Sequence, residues 1–224
     1  MMSNISIFDI MGPVMIGPSS SHTAGAERLG KAAYSIWGKA FDSVEFYLHG
    51  SFAKTYQGHG TDKALVAGIL GMSADDYRLK ESMQIAESRG IRVKFIEEDM
   101  GDVHPNTVRI VLKDNEQALF TLVGSSIGGG NIIITEIDGS ALEISGQYPV
   151  VIAKYKDIKG MISKITGVIA SKEVNIATLK VTRESKGEVA TTVIETDNVA
   201  PESIIDEIMK IENVFSVRVL NAIS

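Results

Sequence analysis

Chemistry in this chain concentrates where histidine meets glycine and serine. Gly17-Pro18-Ser19-Ser20-Ser21-His22-Thr23-Ala24-Gly25 runs straight into a helix-forming stretch. Hydroxyls and backbone N–H groups gathered at a helix N-terminus suit a carboxylate or a phosphate; the same residues also serve as a capping and turn sequence. Gly58-His59-Gly60-Thr61-Asp62-Lys63 sets an imidazole between two glycines, which allow close approach of a ligand or another chain. Imidazole titrates near neutral pH, so an oriented histidine there can exchange protons, a plain glycine turn being the alternative. His104-Pro105-Asn106-Thr107 offers an imidazole and an amide to an amino acid's carboxylate. Gly124-Ser125-Ser126-Ile127-Gly128-Gly129-Gly130 is similar to a phosphate-cradling loop without the P-loop lysine, and a flexible connection between strands accounts for it as well. His49, in a strand-like run, reads as structural.

The elements that must position these residues belong to an ordinary globular chain. Its 224 residues suffice for one large domain or two small ones, and 44% are apolar against 22% charged. A net charge of -6 argues against a nucleic-acid surface. No apolar run approaches the 18 residues or so of a membrane span, and Met1 to Phe8 lacks the basic-then-apolar pattern of a secretory signal. The chain reads as soluble and cytoplasmic. It contains no cysteine, which excludes disulfides, a thiol nucleophile and thiolate ligands for zinc or an iron-sulfur cluster.

An α+β fold in two domains is expected, 1–146 and 147–224, joined at Gly146-Gln147-Tyr148-Pro149. In the first, Thr23 to Trp37 reads as a helix, Thr61 as the N-cap of a short helix to Leu70, and Ser73 with Asp76 as a capping box opening a helix to about Ser88. Strands are expected at Val44–Leu48, Ile91–Ile96, Thr107–Leu112, Ala118–Val123 and Ile132–Ile137, with a hairpin turn at Asp138-Gly139. In the second, Val150–Tyr155 is a strand, Met161 to Ile169 a helix, Ala177, Leu179 and Val181 alternate as a half-exposed strand, and Val189–Thr196 returns. A helix with stripe Ile204, Ile205, Ile208 and Ile211 and a strand through Phe215, Val217 and Val219 complete βαββαβ, the ferredoxin-like order. With Asp157-Ile158-Lys159-Gly160-Met161-Ile162 after its first strand, Lys159 standing where Pro is usual, this segment resembles an ACT domain. That resemblance implies an effector site at Asp157, Gly160 and Asn175, or pairing of ACT domains into a homodimer.

Taken together, Phe8-Asp9 with Ile16-Gly17-Pro18-Ser19-Ser20-Ser21-His22-Thr23, and Gly50-Ser51 with Gly58-His59-Gly60-Thr61-Asp62-Lys63-Ala64, resemble the beta region of iron-sulfur-dependent L-serine dehydratases. His104-Pro105-Asn106 and Gly128, Gly129 and Gly130 are similar to the allosteric substrate-binding domain that the family shares with some phosphoglycerate dehydrogenases. The resemblance spans roughly residues 5 to 220. It implies conversion of L-serine to pyruvate and ammonia, with a [4Fe-4S] cluster on the cysteines of a partner alpha chain. It implies catalytic roles for His59 and, second, His22, and substrate binding by Ser19, Ser20, Ser21 and Thr23, supported by Thr61, Asp62 and Lys63. It implies allosteric roles for His104, Asn106, Gly128, Gly129 and Gly130. Two other readings stand beside it: a regulatory amino-acid-sensing subunit with all chemistry on the partner, and a phosphate- or nucleotide-binding protein.

Overall fold

The computed structural model describes residues 15–223; Phe8 and Asp9 lie outside the described residues. The chain forms two compact units, to Gly139 and from Ser140. The second unit thus opens with β6 (Ser140–Ile144), directly after the Asp138-Gly139 turn. There the Lys180 ammonium meets Glu143 at 2.8 Å, and the Thr182 hydroxyl donates to the Ala141 carbonyl.

The first unit is α+β. Strands β1 (Ser43–Leu48), β2 (Arg92–Glu97), β3 (Thr107–Asp114), β4 (Gln117–Gly128) and β5 (Asn131–Ile137) stand in the order β2-β1-β3-β4-β5, with only β1 and β2 parallel. Val44, Phe46 and Leu48 face Leu112, Ile110 and Val108 across the β1–β3 ladder, all fully buried. The helices are α1 (Ala26–Trp37), α2 (Gly50–His59), α3 (Thr61–Ile69) and α4 (Ser82–Ser88), the last preceded by a 3₁₀ turn, Tyr77–Glu81.

Helix α1 packs on β4 and on α3. Its contact with α3 is made by small residues: a Cβ on Gly30 would collide with the Leu65 carbonyl, and one on Gly68 with the Glu27 carbonyl. Ala26 and Ala33 on α1 and Ala64 and Ala67 on α3 are fully buried as well.

Several expectations need correction. The first helix opens at Ser20, three residues before Thr23. Gly58–Lys63 is no loop: His59 ends α2, and left-handed Gly60 (φ 73°) joins it directly to α3. Thr61 is therefore the first residue of α3, and Gly60 takes the cap position. Asp76 itself caps the 3₁₀ turn, its carboxylate accepting from Arg78 N at 2.9 Å, while the Ser73 hydroxyl turns to Asp75. Strand β4 runs to Gly128, leaving only a tight turn at Gly129-Gly130.

The second unit has the ferredoxin-like order β10-β7-β9-β8, with β7 (Val150–Lys156), α5 (Met161–Ser171), β8 (Ile176–Arg183), β9 (Val189–Thr196), α6 (Ser203–Met209) and β10 (Val214–Leu220). Val151, Ala153, Tyr155, Ile194 and Val217 meet Met161, Ile165, Ile169, Ile204 and Ile208 in one core, and the buried Tyr155 hydroxyl pairs with Thr192 at 2.7 Å. β8 lies at the edge and exposes both faces, so Leu179 and Val181 are not the buried side of a half-exposed strand. Asn175 precedes this strand.

Gly68→Ala should destabilise the chain by about 1–3 kcal/mol through overpacking against helix backbone. Gly167→Ala, on α5 with open space around it, should stabilise by about 0.5–1 kcal/mol. Urea denaturation of both variants checks the pair, and a neutral Gly68→Ala would refute the close contact.

Candidate active site

The serine-rich motif begins as a single π-helical turn, Ser20–Gly25, continuous with α1. Such turns are rare and recur at functional sites. Ser19 caps it: its Oγ accepts the His22 N–H at 3.3 Å and its carbonyl accepts from Thr23 N at 2.8 Å. The His22 side chain turns inward, and the residue is 9% exposed. Its Nδ1 lies 3.4 Å from Ser19 Oγ and its Nε2 lies 3.3 Å from Ser51 Oγ. The ring stands edge-on to Phe52 and to His59, with centroid separations of 5.3 and 4.8 Å. Burial pushes the His22 imidazole below its ordinary range, and nearby His59 adds to the effect, so the ring is neutral at pH 7.

Helix α2 is aimed by the His104–Thr107 segment. Gly50 opens it at φ 58°, where a Cβ would fall 2.7 Å from the Pro105 carbonyl oxygen. That carbonyl accepts from Ser51 N at 2.8 Å and Phe52 N at 3.3 Å, satisfying donors that a helix start otherwise leaves free. His49 is structural, its Nδ1 accepting from Met100 N at 3.1 Å. Thr107 donates its hydroxyl to the His104 carbonyl at 2.6 Å, so in the 2.7 Å contact between Thr107 and Ser125 the serine is the donor.

Strand β4 backs the π turn. A Cβ on Gly25 would collide with Ser126 Oγ, and Ser126 N donates to the Asn106 carbonyl at 3.0 Å. The π turn also packs on α2 and α3. Thr23 Oγ1, Thr61 Oγ1, Ser126 Oγ and Glu27 Oε1 are buried without a hydrogen-bond partner among the described residues. Each such group costs on the order of 1–3 kcal/mol, so their gathering on these packed elements does not serve the chain's own stability. Glu27, one turn beyond Thr23 and 2% exposed, has its carboxyl raised to about 7 by burial, which Lys31 and Arg28 only partly offset.

The structure thus brings together Ser19, His22, Thr23 and His59 of the expected residues, with Ser20 and Ser21 in the same turn. Asp62 begins α3 beside Thr61; its Oδ1 accepts from Lys63 N at 2.8 Å and burial raises its carboxyl, while the Lys63 side chain is exposed. His104 and Asn106 are turned on one another, Nδ1 accepting from N at 3.1 Å. The Gly130 carbonyl accepts from Arg28 at 2.8 Å, pinning the glycine turn to α1. In the second unit, Asp157 accepts from Gly187 N and Arg183, and these hold its carboxyl below the usual range, Gly187 foremost. Gly160 (φ 86°) caps α5, and Asn175 donates to Asp197 at 2.6 Å.

Ser51, Thr107, Ser125 and Ser126 stood inside the motifs without a role of their own, and Phe52 and Glu27 escaped the sequence reading. A signal existed for Ser126: the spacing of Phe120, Leu122, Gly124 and Ser126 keeps the two-residue period of a strand, and β4 does extend through them.

Comparison with known proteins bears on this site. The family model described as serine dehydratase beta chain matches residues 6–92, and that of the ACT domain residues 150–213. The chain is 44% identical over 212 residues to the probable L-serine dehydratase, beta chain, of Bacillus subtilis (strain 168), covering 95% of this chain and 96% of that one. It is 41% identical to the L-serine dehydratase, beta chain, of Peptoniphilus asaccharolyticus, covering 94% and 96%. A D-3-phosphoglycerate dehydrogenase of Methanocaldococcus jannaschii is 25% identical over 88% of this chain, which spans 37% of that protein.

In a histidine NMR titration of the full chain, His22 should titrate below the ordinary range, and His59→Ala should move its midpoint up; an unmoved midpoint would break the coupling. Glu27 binds its proton more tightly folded than unfolded, between the ordinary 4.5 and about 7. Its stabilising contribution is complete below 4.5 and is lost as pH rises through 7, a total on the order of 3 kcal/mol. Glu27→Gln should flatten that slope and be the more stable protein at pH 8. Equal urea midpoints for the two at pH 8 would contradict this.

Proposed function

The chain belongs to the serine dehydratase beta-chain family, and on that premise we propose that it is the beta subunit of an L-serine dehydratase, completed by an alpha chain and working in the cytoplasm. The observation that carries this reading is the His22–His59 pair, 4.8 Å between centroids, at the end of a hydroxyl-rich helix start. Dehydration removes the α-proton and the β-hydroxide of serine, leaving aminoacrylate, which tautomerises to the imine and takes up water to give pyruvate and ammonia. The α-proton is weakly acidic and needs a positioned base. His59, exposed at the end of α2, takes that role, with buried His22 beside it. Ser19, Ser20, Ser21 and Thr23 hold the substrate carboxylate at the helix start, with Thr61, Asp62 and Lys63 flanking.

Hydroxide is a poor leaving group, and the [4Fe-4S] cluster of the family is the Lewis acid for it. This chain has no cysteine to hold a cluster, and its described residues form no group of three or more metal-ligating side chains. Its residues do not fit the cluster, which we assign to the alpha chain.

The exposed edge strand β8, with Leu179 and Val181 outward, supports sheet extension between two copies of the ACT domain. A purely regulatory subunit is less well supported, since His104, Asn106 and Gly130 are engaged within the chain.

Co-expression with a cysteine-bearing alpha chain and anaerobic purification should give a brown complex that releases pyruvate from L-serine. His59→Ala should lower turnover by about 10²-fold or more at unchanged cluster absorbance. Undiminished turnover would remove His59 from the role.

A further inference from the structure

We propose that Ser51 is a positioning residue for His22: together with Ser19 it brackets the imidazole between two hydroxyls, leaving the ring able to pass a proton from one nitrogen to the other. The inference rests on the dehydratase reading for its catalytic meaning, and on geometry alone for its structural content. A buried catalytic imidazole is commonly oriented by a carboxylate or backbone carbonyl, which only accepts and so locks one tautomer. Here both ring nitrogens face hydroxyls, 3.4 Å on the Nδ1 side and 3.3 Å on the Nε2 side. A hydroxyl donates or accepts by rotating about its C–O bond. With the proton on Nε2, Ser51 accepts and Ser19 donates; with the proton on Nδ1, both roles reverse. Ser19 Oγ also accepts the His22 N–H, which its second lone pair accommodates.

Ser51 is held for this task by its own backbone. Its N–H donates to the Pro105 carbonyl at 2.8 Å, and its carbonyl accepts from Thr55 Oγ1 at 2.8 Å. Its Oγ has His22 as its single partner among the described residues. Pro105 therefore fixes the start of α2, α2 fixes Ser51, and Ser51 fixes the inner nitrogen of His22. Phe52 closes one side of the ring at 5.3 Å, and burial keeps it neutral, the state in which a tautomer exists.

Removing the Ser51 hydroxyl biases the ring predictably. A buried N–H left without an acceptor is worse tolerated than a bare acceptor, so Ser51→Ala should collect His22 in the Nδ1–H tautomer, bonded to Ser19. The test is long-range 1H–15N correlation on the full chain with 15N-histidine, at a pH where His22 is neutral. The wild type should show His22 nitrogen shifts averaged between the two tautomers, Ser51→Ala shifts of the Nδ1–H form, and Ser51→Thr a return toward the average. In the assembled enzyme, Ser51→Ala should lower kcat by about 10-fold or more with KM within about two-fold, and Ser51→Thr should recover most of it. Identical His22 shifts in wild type and Ser51→Ala would overturn the proposal, as would full turnover by Ser51→Ala. A wild-type complex that releases no pyruvate from L-serine would sink the dehydratase reading instead, and the nitrogen shifts would still decide Ser51.

Discussion

Gly30 on α1 and Gly68 on α3 let two helices meet backbone to backbone, and the rest of the site hangs from that contact. The π turn is continuous with α1, so the depth at which α1 sits on α3 sets the depth of His22. Helix α3 is joined to α2 through the single residue Gly60, so the same contact draws the end of α2, and His59 with it, toward the π turn. The sheet acts from the other side, where Gly25 rests against Ser126 and Leu29 lies over Gly124. Interiors are close-packed and barely compressible, so a methyl group at the seam between the helices would move both imidazoles at once.

Within that frame the protein leaves polar groups undersupplied. His22 has two hydroxyl neighbours at the long end of hydrogen-bond range, neither of them charged. Ionising it there would lose hydration that two hydroxyls cannot replace, which is why burial leads the fall in its proton affinity. Glu27 shows the mirror effect: nearby Lys31 and Arg28 are outweighed by burial. A stable core would have paired or replaced these groups. Their persistence, with three hydroxyls on the π turn and the elements packed round it that have no partner among the described residues, marks surfaces arranged for something besides stability.

How much of this the sequence showed depends on where each element gets its instructions. The ferredoxin-like unit was readable because its stripes and alternations carry their own period, from Met161–Ile165–Ile169 to Ile204–Ile208. Helix α2 was not, since only Phe52 and Ala53 of its ten residues are buried and it has no apolar stripe. It is imposed by a carbonyl from Pro105, more than fifty residues along the chain. The same holds for Ser51, whose partner His22 belongs to another motif. His22 and His59 were visible as residue types in unusual company, but their mutual approach depends on the glycine seam between α1 and α3. Leu179 and Val181 misled in the other direction: their alternation was real, but an edge strand has no layer to bury them.

The pair's asymmetry follows from which helix end each ring occupies. His22 stands in the first turn of a helix that continues to Trp37, where the dipole is positive and disfavours a cation. His59 stands in the last turn of α2, at the opposite end of a helix. The two helix ends meet with the rings 4.8 Å apart, too close for both to be charged at little cost. His22 is buried between hydroxyls, while His59 is open to solvent. Burial first and repulsion from His59 second therefore keep His22 the neutral member, and its place at a helix start acts in the same direction.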